Sequence, residues 1–152
     1  MLQNTIDIER SHRLFVETIC KTQIIYGLKD KNGYAMSTSN NYETTQGEAI
    51  GLICLWSEEV QARVLAKEEW SDYKVQEISL NSFLENWCIG MHFDGLYVGT
   101  NFNQNLFGFE IEPLELGMEI INEIKKHNYK IPLLTYKNLK EVEKALNEAQ
   151  KG

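Results

Sequence analysis

The segment Ala49–Trp56, AIGLICLW, is the most apolar run in the chain. It shows no alternation of polar and apolar positions, so it reads as a strand covered on both faces rather than wetted on one. Such a strand belongs inside a sheet with helices packed on it, and this requirement organises the reading of everything around it. Eight residues are too few to span a bilayer, so no membrane association is expected.

The flanks supply those helices and further strands. Ser57 is placed to cap a helix, with Glu58 and Glu59 in its first turn, running to about Glu69 and burying Val60, Val64 and Leu65. Upstream, Ile8, Leu14, Phe15 and Ile19 recur at helical spacing between Asp7 and about Cys20. Gln23–Leu28 reads as a strand, the Asn-Gly step in Asp30–Gly33 as a hairpin turn, and Tyr34–Ser37 as the returning strand. Ser39–Gly47 is polar and reads as a surface loop. Downstream, Lys74–Leu80 alternates as a half-buried strand, a short helix covers Ser82–Met91, and Asp94-Gly95 turns into a strand over Leu96–Thr100. The amide-rich Asn101–Asn105 turns into a strand over Leu106–Ile111. Pro113 starts a helix reaching about Lys126, and a last amphipathic helix spans Asn138–Ala149. The expected fold is α+β (α/β-like): a single mixed β-sheet of about five to six strands with helices packed on it. At 152 residues one domain is expected over the whole chain.

Charge is the second constraint. Val75–Ile124 contains no Lys or Arg but holds Glu77, Glu85, Asp94, Glu110, Glu112, Glu115, Glu119 and Glu123, in a chain of net charge −7. A polyanion would meet a mostly repulsive surface, so nucleic acid is not an expected partner. Glu115, Glu119 and Glu123 recur every four residues and line one face of a helix, opposite Gly117, Ile120, Ile121 and Ile124. Like charges at that spacing repel by roughly 0.2–0.5 kcal/mol per pair. The helix dipole offsets part of this for Glu112 and Glu115. A solvated acidic face is the ordinary reading of such a stripe. The functional one is a surface for a basic protein partner, carried by Glu112, Glu115, Glu119 and Glu123.

Cys20, Cys54 and Cys88 are an odd set without a CxxC pair, which speaks for reduced thiols in a cytoplasmic protein. Their spacing of 34 residues is not a repeat, because their neighbours share no framework. The first residues lack the basic-then-apolar order of a signal peptide.

A distributed set of residues resembles a bacterial family, domain of unknown function 2750. It comprises Ile53–Trp56, Ser57-Glu58-Glu59, Trp70 and Tyr73, then Ile78, Leu80, Phe83-Leu84-Glu85 and Trp87. Asp94-Gly95, Leu96–Thr100 and Glu112-Pro113-Leu114-Glu115 continue it, and Phe15–Glu17, Ile25–Leu28 and Gly33-Tyr34-Ala35 precede it. The resemblance covers roughly Arg10 to Ile121. From Leu55 onward the order is also similar to the N-terminal domain of SseB-like proteins, which implies protein interaction more than catalysis. The chain departs from the family pattern at Cys88, where an aliphatic residue is usual, and in its amide-rich 101–105 turn. The family carries no assigned catalytic residues.

Catalytic motifs are few. No Gly-rich phosphate loop, GxSxG elbow or HExxH is present, and no cofactor or metal is expected. Glu58-Glu59 is explained by its place in a first helical turn. Cys88 and His92, four apart on a helix with Asp94 nearby, are the one constellation for a small enzyme or ligand sensor. Against it, Cys88 beside Trp87 and Ile89 reads as a small buried apolar residue. Trp56, Trp70, Trp87 and Tyr73 read as core lids before they read as a ligand pocket. His12 and His127 read as isolated histidines in polar contexts, His127 near a helix C-terminus where it can meet the last carbonyls. The balance favours a non-enzymatic protein-interaction module of adaptor or immunity-like type, with the Cys88, His92 and Asp94 pocket as the alternative.

Overall fold

The computed structural model describes residues 2–152, with side chains from Thr5 onward. One mixed sheet of seven strands is built from β1 (Ile24–Asp30), β2 (Gly33–Tyr34), β3 (Met36–Glu43), β4 (Ala49–Trp56), β5 (Lys74–Ser79), β6 (Tyr97–Thr100) and β7 (Phe109–Ile111). The helices are α1 (Leu2–Thr22), α2 (Glu59–Ala66), α5 (Pro113–His127) and α6 (Leu139–Lys151), plus one continuous stretch in which α3 (Leu80–Ser82) passes through a π turn (Phe83–Trp87) into α4 (Cys88–Phe93). The class is α+β, as the sequence implies.

β4 lies inside the sheet. One of its edges pairs antiparallel with β3 and then β1, and the other pairs parallel with β6. Its alternate residues feed two different cores, which is why the segment is apolar throughout. Leu55 packs with Phe15, Ile19, Phe83, Leu84 and Ile120 under α1, α3–α4, α5 and α6. Leu52, Cys54 and Trp56 point the other way, toward Leu65, Trp70 and Phe102. Among the described residues no helix is long and apolar enough to cross a membrane.

Three differences from the sequence reading have local causes. β3 continues through Glu43 where a loop is expected. Its polar residues are tolerated because the strand is largely exposed, and its backbone is organised by two side chains. Ser39 Oγ accepts the N–H groups of Asn41 and Tyr42, and donates to the buried carboxylate of Glu110. α2 begins at Glu59 rather than after a Ser57 cap, because Asn101 Oδ1 captures the Ser57 N–H at 2.9 Å and holds Ser57 at the end of β4. The Glu58 N–H is accepted instead by Gln61 Oε1 at 3.2 Å. This shift turns Val60 out to 63% exposure and buries Ala62 with Leu65. β7 begins only at Phe109, because Leu106 takes a left-handed backbone (φ 60°). That conformation is unusual for a branched residue, and Asn103 Oδ1 supports the turn by accepting from Asn105 and Phe107.

A candidate partner-binding cleft between two helices

α5 starts on Glu112, whose Oε1 accepts the N–H of Leu114 at 2.5 Å and of Glu115 at 3.3 Å. Pro113 at the first helical position loses nothing by lacking an N–H. Asn128 ends the helix in the left-handed conformation. Gly117, Ile120, Ile121 and Ile124 are buried; on the other face Glu115 is exposed, while Glu119 and Glu123 are half-buried, Glu123 with 15% of its side chain exposed.

Each of the three histidines in the chain meets a carboxylate of this helix. His12 Nε2 lies 2.7 Å from Glu119 Oε1, His92 Nδ1 lies 2.5 Å from Glu112 Oε2, and His127 Nε2 lies 2.8 Å from Glu123 Oε2. His12 is the most enclosed, at 7% exposure. Its ring stacks on Phe109 with centroids 4.0 Å apart, and its Nδ1 is 2.9 Å from Thr100 Oγ1. An ionised carboxylate only accepts, so Nε2 carries a proton toward Glu119. When the ring is neutral, the Thr100 hydroxyl donates to Nδ1. The chain Thr100–His12–Glu119 thereby fixes one oxygen of Glu119 from beneath.

Around this pair α1 and α5 line an open cleft of about 500 Å³. Its floor is Val16, Phe109 and His12, and its walls bring Glu9 and Glu17 of α1 opposite Glu119 and Glu123 of α5. Arg13 and Lys126 also line it, so four carboxylates face two cations. The acidic stripe is thus divided. Glu119 and Glu123 belong to this cleft, whereas Glu112 and Glu115 line a separate cavity of about 410 Å³ with His92, Leu114, Met118 and Leu146.

His92 lines the second cavity without Cys88 or Asp94. Cys88 is fully buried beneath Gly117, where an added Cβ would come within 3.2 Å of its sulfur. Burial, then the nearby Glu112 charge, push its thiol up, so it is no ready thiolate. His92 turns to Glu112 instead, and Asp94 is exposed at the end of α4. Cys20 and Cys54 are also buried, each with its thiol pushed up to about 12, chiefly by burial. The Trp56 indole donates to the Phe102 carbonyl at 3.0 Å, and none of Trp56, Trp70, Trp87 and Tyr73 lines either cavity. Among the described residues no group of three or more His, Cys, Asp or Glu side chains is placed to hold a metal ion.

His12, expected to be isolated, and Glu9 and Glu17, not among the expected site residues, come together in this cleft. Their spacing held a signal: positions 9, 12, 13 and 16 share one helical face, so a histidine among them stands at the rim of the buried stripe of α1.

Comparison with known proteins bears on the same region. The family model described as "Protein of unknown function (DUF2750)" matches residues 12–120. The chain belongs to the DUF2750 family. No curated protein and no solved structure matches it. The DUF2750 region takes in His12, Thr100 and Glu119, the three hydrogen-bonded groups, and also Cys88, His92 and Glu112. Glu9, Glu123, Lys126 and the whole of α6 lie outside the matched residues.

Proposed function

We propose that this DUF2750 protein is a non-catalytic interaction module that engages a basic protein partner through the α1–α5 cleft. The observation that carries this reading is the opposition of Glu9 and Glu17 to Glu119 and Glu123 across one concavity, with Glu119 held by His12. Preorganised carboxylates spend little ordering entropy on binding, and complementary charge chiefly raises the association rate and sharpens partner choice. The apolar floor of Val16 and Phe109 suits the hydrocarbon stem of a long basic side chain. Among the described residues the cleft lining contains no serine, threonine or cysteine, and Thr100 behind it is 1% exposed, which favours binding over nucleophilic chemistry.

The test is affinity capture from the source cells with the wild-type protein and a Glu119→Lys/Glu123→Lys variant, at low and at high salt. A basic protein captured by the wild type at low salt, lost in the folded variant and released by salt is the expected result. If the same proteins are captured equally by both, the cleft is not the docking surface.

A further inference from the structure

The cavity between α4, α5 and α6 contains a histidine with one ring nitrogen committed and the other available. His92 Nδ1 lies 2.5 Å from Glu112 Oε2, and the other oxygen of Glu112 is held by the N–H groups of Leu114 and Glu115. Because the carboxylate is an acceptor, neutral His92 carries its proton on Nδ1 and keeps the lone pair on Nε2. This is the opposite tautomer from His12, whose Nε2 faces Glu119. Among the described residues no group bonds His92 Nε2. The imidazole is therefore an oriented hydrogen-bond acceptor, its direction set by the cap of α5.

The cavity, about 410 Å³, has the size of a small-molecule site. Leu114, Met118 and Leu146 give it an apolar wall, and α6 adds the amides of Asn147 and Gln150. Glu112 and Glu115 disfavour an anion. We infer that this cavity binds a small neutral hydroxyl-bearing organic molecule, its apolar body against Leu114, Met118 and Leu146 and its O–H donating to His92 Nε2. The inference is independent of the α1–α5 cleft, which shares no lining residue with this cavity. A site built to accept from a hydroxyl discriminates strongly against the analogue lacking it.

Phenol and toluene, alike in shape, are the probes, followed by NMR of the imidazole groups with His12 and His127 as internal references. Phenol is expected to shift the His92 signals saturably while toluene binds at least tenfold more weakly. His92→Gln is expected to weaken phenol by at least tenfold, and His127→Gln to leave it unchanged. Imidazole nitrogen spectra of the wild-type protein are expected to show neutral His92 protonated at Nδ1. The inference is overturned if phenol leaves His92 unmoved to its solubility limit, if toluene binds as well, or if neutral His92 carries its proton on Nε2. The wild-type measurements decide the matter even where His92→Gln disturbs the fold.

Discussion

Glu85 is a carboxylate almost sealed from water, and it survives there by accepting the N–H groups of Leu134, Thr135 and Tyr136 at 3.0, 2.6 and 2.8 Å. Burial alone pushes its carboxyl up. The three backbone donors and the Asn81 side chain pull the other way and win, holding it below the usual glutamate range. A group more acidic in the folded state contributes stability in full above its unfolded value, and that contribution is lost as pH falls through the folded one. Glu85→Gln is therefore expected to cost about 2 kcal/mol near neutrality. The gap to wild type should narrow as pH drops below the ordinary glutamate range, read by urea denaturation at a series of pH values. A gap that stays constant with pH would mean that the charge of Glu85 is not what holds the 134–136 segment. The thiols make the converse case. All three cysteines are buried with thiols pushed up, so a thiol reagent should find none in the native protein at neutral pH and all three in denaturant.

Two glycines set how closely elements approach. A Cβ on Gly99 in β6 would lie 2.6 Å from the Phe102 ring, the same residue whose carbonyl accepts from Trp56. Gly99→Ala must displace that ring from the sheet and should cost about 1–3 kcal/mol, measured as a lowered denaturation midpoint with an unchanged slope. Gly117 plays the same part between helices, bringing α5 against Cys88 of α4 and Leu146 of α6. Elements of this kind were legible where periodicity was strong. The two-faced burial of β4 and the buried stripe of α5 follow directly from the order of apolar residues. The continuation of β3 beyond Ser37 was not legible, because the backbone there is organised by Ser39 and Glu110, which lie 71 residues apart and leave no local pattern. The Ser57 cap failed for the same reason, since its competitor, Asn101, is 44 residues away. Of the cleft, only the α5 wall could be read in advance. His12 looked isolated because Thr100 and Glu119, which give it a role, are 88 and 107 residues distant.

Taken as a whole, the molecule concentrates its one-signed surface on α5 and then divides it between two concavities. The basic-free run from Val75 to Ile124 is thus a poor guide by itself: Glu85 and Glu110 are buried and committed to backbone or hydroxyl donors. Of the rest, Glu119 and Glu123 line the α1–α5 cleft together with Glu9 and Glu17 of α1, each of the first two beside a histidine. Once a partner is in hand, its dissociation constant for purified wild-type protein, Glu119→Lys/Glu123→Lys and Glu115→Lys separates the two concavities directly. We expect the double reversal to weaken binding at least tenfold, mainly through slower association, and Glu115→Lys to change it less than twofold. Equal affinity for all three folded proteins would contradict the proposed docking at the α1–α5 cleft.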